Sequence, residues 1–364
     1  MKIREELIPE RRSYALDTPE SGSGLLDCSM GENPYGFPDC VREAWRSFDL
    51  ERMCRYPHSR AIHDEVVRYW ADYAFIEPEN VVPTDGSISA LCLLCNILAK
   101  PGAEVVGFAP AFTDMVEYTR MMGMRYTGVP SASSDPRGDV DAMLDAITRD
   151  TSLVYIDNPN NPTGRYLPQA EIDRVLAKCE ALGVYALIDE AYADFLPCGE
   201  SSVLLGPKYK NIVIVRTFSK GFGLAGLRAG YIITAKELIR YIDKVSNPYM
   251  VSEPARVLSA AALSDRGFPA SHSAEFASAK RALRSALGKG LSMRGTDDRV
   301  PICTLTHEDE SVDLQALLLR HGVLTCSGRE FEPLGQNSVR LRIPRSEELP
   351  RLLDCLGAAA GAKA

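Results

Sequence analysis

Three short segments concentrate the side chains of this sequence that could do chemistry. They are Asp157-Asn158-Pro159-Asn160-Asn161-Pro162-Thr163-Gly164, Asp189-Glu190-Ala191-Tyr192 and Arg216-Thr217-Phe218-Ser219-Lys220-Gly221. Together they offer an amide, a carboxylate, a phenol, hydroxyls and a primary amine, the types that serve acid–base and covalent chemistry on a small molecule. Taken singly, each has a plain alternative. Two prolines and a glycine make 158–164 an ordinary turn, Asp189 is a helix N-cap, and Lys220 is a solvated lysine. What those alternatives leave unexplained is that all three segments occupy the same kind of position.

Each segment follows a short apolar run, at 152–156, 184–188 and 211–215, and similar runs occupy 104–108 and 229–233. Several are β-branched and apolar throughout rather than alternating, the mark of strands buried on both faces. Between them, Gln169–Leu182 has helical spacing and ends at Gly183, a C-cap. The pattern is α/β, a large domain with a mostly parallel central sheet covered by helices. In such sheets ligands bind beyond the carboxyl ends of the strands, so the three polar segments fall at one edge. After residue 255 the character changes to helices at 254–265 and 274–291, strands near 300–305 and 339–343, and helices at 313–321 and 347–356. These predict a smaller α+β domain. The division expected is 1–45 as a segment packing with the small domain, 46–255 as the large domain and 256–364 as the small one. A chain of 364 residues exceeds the roughly 250–300 residues of a single core, which agrees with two.

Composition narrows the class. Hydrophobic residues make up 45%, charged residues 25%, and the formal net charge is −8, which lacks the basic surplus of a general nucleic-acid binder. The start, Met1-Lys2-Ile3-Arg4-Glu5-Glu6, has no apolar core of a secretory signal. The longest apolar stretch, 88–99, is broken by Ser89 and Asn96 and falls short of the ~20 residues that span a bilayer. The expectation is a cytoplasmic protein. Cys92 and Cys95 sit one turn apart in a buried helix, and neither the cysteines nor the histidines have metal-site spacing. Gly221-Phe222-Gly223-Leu224-Ala225-Gly226 is literally G-x-G-x-x-G. A dinucleotide site needs that motif directly after a strand and opening a helix. Here five residues intervene after Val215, and the segment leads through Arg228 into another strand.

The motifs N-P-N-N-P-T-G (158–164), D-E-A-Y (189–192) and S-K-G-F-G-L-A-G-L-R (219–228) resemble those of the class I/II, or fold-type I, pyridoxal-phosphate (PLP) aminotransferases. The resemblance is greatest to the histidinol-phosphate aminotransferase branch, with threonine-phosphate decarboxylase next. It extends to Glu32-Asn33-Pro34-Tyr35-Gly36, Arg55-Tyr56-Pro57, Asp85-Gly86-Ser87, Pro110-Ala111-Phe112 and Val339-Arg340-Leu341, and so runs nearly end to end. It implies that Lys220 carries the cofactor and then moves a proton as base and acid. It implies that Asp189 pairs with the pyridine nitrogen, that Asn158 and Tyr192 bond the phenolic oxygen, and that Phe112 stacks on the ring. The cofactor phosphate falls to the backbone near Gly86 and Ser87 at a helix start, to Ser219 and Thr217, and to Arg228. Tyr56 reaches the phosphate of a partner subunit, which implies a homodimer with shared sites. The substrate falls to Arg340, with Asn158 and Asn33 beside it; Arg342 would face the same side of the strand as Arg340.

One departure bears on the substrate. Histidinol-phosphate aminotransferases carry an arginine in G-I-[IV]-[VL]-R that grips the substrate phosphate. Here the segment is Gly322-Val323-Leu324-Thr325-Cys326, and Arg329 is offset. The reading is therefore an aminotransferase acting on a small amino acid, with a decarboxylase or β-lyase on the same scaffold as the alternative. A catalytically silent protein of this fold is the third reading, which the intact set of Lys220, Asp189, Asn158, Tyr192 and Arg228 opposes.

Overall fold

The computed structural model describes residues 5–7, 24–131, 136–288 and 290–361. After the two-residue strand β1 (Leu26–Asp27) come the strands of the large sheet: β2 (Val81–Thr84), β3 (Glu104–Ala109), β4 (Arg125–Pro130), β5 (Thr151–Asp157), β6 (Tyr185–Asp189), β7 (Ile212–Thr217) and β8 (Gly230–Thr234). Their order across the sheet is β2-β8-β7-β6-β5-β3-β4. All run the same way except β8, which is antiparallel to both β2 and β7. The five apolar runs read from the sequence are β3, β5, β6, β7 and β8. The two additional strands are edge strands with weaker signals: β2 contains Pro83, tolerated there because an edge position needs fewer ladder donors, and β4 is largely exposed.

Alternation along the strands buries both faces. Val154, Ile156, Ile188 and Ile214 point into one layer, and Leu153, Tyr155, Leu187, Val213 and Val215 into the other. The helix Gln169–Leu182 covers the first layer and ends at Gly183, whose φ of 71° is the left-handed cap expected. The helix Ser87–Leu98 covers the second; it holds buried Cys95 and half-buried Cys92.

The smaller unit is built on β9 (Leu291–Met293), β10 (Ile302–His307), β11 (Val323–Leu324), β12 (Cys326–Ser327) and β13 (Ser338–Arg342). Four of these form an antiparallel sheet in the order β12-β13-β10-β9, while β11 pairs in parallel with β1. The helix expected at 274–291 stops at Ala286, and the chain enters β9 through Gly290 at φ 99°. The boundary expected at 255/256 falls inside the helix Glu253–Ser264. Its buried Leu258, Ala262 and Leu263 share a core with Ile62 and Val66, so the large unit extends through this helix. Of the 1–45 segment, residues before 24, apart from 5–7, lie outside the described residues. Its later part divides: β1 joins the small unit, whereas the helix Asp39–Arg46 packs on Glu253–Ser264. Among the described residues no helix is long and apolar enough to cross a membrane.

Candidate active site

The ends of β3, β5, β6 and β7 open on one cavity of about 360 Å³, within the roughly 300–1,000 Å³ of small-ligand sites. Asp157, Asp189, Ser219 and Lys220 line it from the strand ends, and Phe112 and Tyr192 from the loops after β3 and β6. Asp189 is buried; its Oδ1 accepts the Ala191 N–H at 3.0 Å and its Oδ2 the Tyr155 hydroxyl at 3.3 Å. Burial pushes its carboxyl up to about 6, against the opposing pull of those donors and of Lys220. A cation set against it would hold it ionised. The Lys220 Nζ stands 5.7 Å from the centre of the Tyr192 ring. The Tyr192 hydroxyl lies so close to Gly31 that a Cβ there would sit 1.8 Å from it.

One end of the cavity is built for an anion. Ser87 begins the helix Ser87–Leu98, capped by Gly86 at φ 103°, a conformation open to glycine at little cost. A Cβ on Gly86 would lie 2.8 Å from Arg228 Nη2. Arg228 has φ 50°, a left-handed non-glycine residue of the kind that gathers at functional sites. Its Nη1 donates to the Ala225 carbonyl at 3.0 Å and to Ser219 Oγ at 3.4 Å. A helix N-terminus, a hydroxyl and a guanidinium thus converge on one place, and together they favour a phosphate. The G-x-G-x-x-G segment serves this turn. It forms the short 3-10 turn Ala225–Leu227 and passes into β8, so it opens no dinucleotide-binding helix.

Residues 23–356 match the model of the family described as aminotransferase class I and II. The chain belongs to the class I and II aminotransferases. The aminotransferase is 30% identical over 337 residues to histidinol-phosphate aminotransferase 1 of Mannheimia succiniciproducens, a match covering 92% of this chain and 89% of that one. It is also 30% identical over 362 residues to a histidinol-phosphate aminotransferase of Dehalococcoides mccartyi, covering 98% and 97%. Its fold superposes on the histidinol-phosphate aminotransferase of Sinorhizobium meliloti in complex with pyridoxal-5'-phosphate, with a TM-score of 0.79 at 23% identity over 92% and 90% of the two chains. It superposes equally on aspartate aminotransferase from Thermus thermophilus with maleate, TM-score 0.80 at 22% identity over 92% and 91%. The fold type and the aminotransferase activity expected from the sequence both stand.

Several expected residues of the aminotransferase make contacts elsewhere in the chain. Asn158 is turned away from the cavity: its Nδ2 donates to the Leu167 carbonyl at 2.9 Å and its Oδ1 accepts the Leu167 N–H at 2.8 Å. Asn161, three residues on, lines the cavity instead, and its Oδ1 accepts from Arg340 Nη1 at 3.1 Å. Asn33 donates to the Gly221 carbonyl at 2.8 Å and accepts the Tyr35 N–H at 3.0 Å. It fastens the N-terminal segment beside Lys220, while its neighbours Met30 and Glu32 line the cavity. Thr217 supports Ser219 from behind, accepting the Ser219 N–H at 3.1 Å. Tyr56 is 73% exposed and stacks on Tyr249 outside the cavity, ring centres 4.9 Å apart.

Arg340 is fully buried, and its Nη2 donates to the Ser29 carbonyl at 2.5 Å. Arg342 donates instead to the carbonyls of Asp27 and Ile343, so of the two arginines Arg340 holds the place beside Asn161. Cys326 is the cross-strand partner of Arg340. Its thiol, pushed up to about 12 by burial, donates to Glu330 Oε2 at 3.1 Å. Arg329 turns outward to Gln336 and Asp313.

The reading from sequence also passed over charges on the reverse face of the same strand ends. Arg216 is buried, donating from Nη1 to Glu190 Oε2 at 2.6 Å and from Nη2 to Asp194, with its guanidinium 4.9 Å from the centre of the Trp70 ring. Glu190 further accepts the Ser202 N–H and the Ser201 hydroxyl, each at 2.6 Å. The available signal was the arginine itself: a charge closing an apolar strand has to be paired, and two carboxylates follow the neighbouring strand at 190 and 194.

Proposed function

We propose that the enzyme uses pyridoxal 5'-phosphate to move the amino group of a small α-amino acid with a free carboxylate to a 2-oxo acid or aldehyde, with Arg340 as the carboxylate ligand. The cavity fits that cofactor. A buried carboxylate at Asp189, the anion cradle at Gly86, Ser87, Ser219 and Arg228, and the amine of Lys220 in the same cavity suit its ring nitrogen, phosphate and carbonyl. When bound, the cofactor supplies a carbonyl that condenses with amines and a ring that takes up the electron pair of a broken Cα–H bond. The Asp189 carboxylate holds a proton on a ring nitrogen set against it. The Lys220 amine takes the proton from Cα and returns it as a general acid. Phe112 presents a flat apolar wall to the ring, while Tyr192 and Asn161 orient its polar edge.

The observation that carries the choice of substrate is the Arg340–Cys326 pair. A planar guanidinium matches a carboxylate, and Arg340, fully buried, is hydrogen-bonded to Asn161, which lines the cavity. A phosphate brings about −1.5 to −2 charges. At Cys326 it would meet a neutral thiol, a weak donor, with the Glu330 carboxylate behind it. The expected result is that kcat/KM for at least one carboxylate-bearing amino acid exceeds that for histidinol phosphate, and that Arg340→Lys raises KM selectively for the amino acid. A higher kcat/KM for histidinol phosphate than for every amino acid tested would overturn this reading.

The large unit would hold the cofactor and the smaller one supply Arg340. The active form is taken to be a homodimer in which Tyr56 reaches the partner's cofactor phosphate. The exposed Trp45, Leu50, Met53 and Tyr56 along one segment support it, since clustered apolar exposure marks interfaces. Light scattering on the active enzyme reads this directly. A cytoplasmic location is taken as part of the same reading.

A further inference from the structure

Asp157 has no role in the chemistry described above, yet it lies on the cavity wall, 4% exposed, at the last position of β5. Its Oδ2 accepts two backbone donors, the Phe112 N–H and the Asn161 N–H, each at 3.0 Å. Its Oδ1 accepts Asn160 Nδ2 at 2.8 Å. Asn160 in turn donates from the same nitrogen to the Pro110 carbonyl at 3.0 Å, and its Oδ1 accepts the Thr163 hydroxyl at 2.5 Å. One carboxylate thus ties the loop after β3 to the loop after β5, at Phe112 and Asn161, which both face the cavity. Phe112 is the apolar wall, and Asn161 is the amide bonded to Arg340.

We propose that Asp157 is a positioning residue of this active site, a latch whose carboxylate sets the distance between the Phe112 wall and the Asn161–Arg340 pair. The inference rests on the aminotransferase reading, because it concerns the slot in which cofactor and substrate carboxylate are held. The physical ground is that a carboxylate accepts at both oxygens. A group with one acceptor holds either the two N–H donors or the Asn160 amide, but not all three. A neutral amide at this place therefore lets one loop shift against the other. Displacements of that size matter where two partners must be met at once.

The test is Asp157→Asn, with Asp157→Ser as a second variant whose small side chain leaves room for water to reach both N–H groups. Each is measured per cofactor-loaded site. The positioning role predicts a KM for the amino donor raised about tenfold, the scale of one lost hydrogen bond to a charged group. It also predicts a weakened circular dichroism of the bound cofactor, because the ring is no longer fixed against Phe112. A merely structural role lowers the loaded fraction and leaves KM and the cofactor signal per site unchanged. That outcome would overturn the proposal. So would failure of both variants to fold, which would make Asp157 a folding residue. The wild-type protein carries the control. Absence of a cofactor band that Lys220→Ala removes would sink the aminotransferase reading, whatever Asp157 does.

Discussion

On the cavity side of the sheet, Asp157 and Asp189 stand in register on neighbouring strands, so two buried carboxylates share one wall. On the reverse side of the same strand ends, Glu190 and Asp194 close on Arg216 under the Trp70 ring. Both clusters are buried, and both carry two carboxylates. They differ in what balances the charge. The reverse cluster holds its own cation, and its carboxylates are further met by Ser201 and Ser202. The cavity cluster is hydrogen-bonded by neutral donors, with Lys220 pulling on Asp189, and burial still pushes its two acids up, to about 7 for Asp157 and about 6 for Asp189. A region that neutralises itself is a support. A region whose acids stay pushed up beside its lysine suits a ligand that brings positive charge, as the proposed pairing of Asp189 with a protonated ring nitrogen would.

The largest effect is expected from the cavity side. Lys220→Ala should reduce turnover by more than about 10⁴-fold, the upper range for losing a general acid–base group, with the melting temperature of the apoprotein nearly unchanged. Wild-type-like turnover in that variant would remove Lys220 from the chemistry. The reverse side should answer the opposite way. Arg216→Met leaves Glu190 and Asp194 buried without their cation, and breaking such a pair costs about 3–5 kcal/mol of stability. A urea titration of the apoprotein reads this from the midpoint. Surviving folded enzyme should keep Lys220 reactive toward the cofactor. If instead stability holds and cofactor loading is lost, the two faces are not separate in function.

The strand ends, Lys220, Asp189 and Tyr192 were legible because each lies within a few residues of an apolar run whose direction the α/β pattern supplies. Asn158 and Asn161 were not distinguishable in the same way. The tandem N-P-N-N-P-T-G places two asparagines three apart in an irregular turn, where no period says which one faces inward. What decides it is Leu167, whose backbone takes both ends of the Asn158 amide. Asp157 was given no role of its own from sequence, because its partner Phe112 is 45 residues away. The bond of Asn33 to Gly221 was likewise beyond local pattern, since it spans 188 residues. Local pattern located the site; long-range hydrogen bonds decided which side chains enter it.

The smallest expected effect tests the imbalance on the cavity side directly. Burial places the Asp157 carboxyl at about 7 and that of Asp189 at about 6, whereas an unfolded aspartate titrates near ~3.9. As pH falls from 8 to 6 the folded apoprotein therefore takes up protons that the unfolded chain does not. Stability rises as pH falls wherever the folded state binds more protons, so these two carboxyls each add a stabilising contribution over this interval. The Asp157→Asn variant has no proton to take up at that position and should lack that share, on the order of 1 kcal/mol. Groups such as Asp194 and His63, whose values are also shifted, are common to both proteins and cancel in the difference. Urea titrations of the two apoproteins at pH 8, 7 and 6 give the comparison. Equal pH slopes would mean that Asp157 ionises in the folded chain as it does in the unfolded one, and the contrast between the two faces of the sheet would be lost.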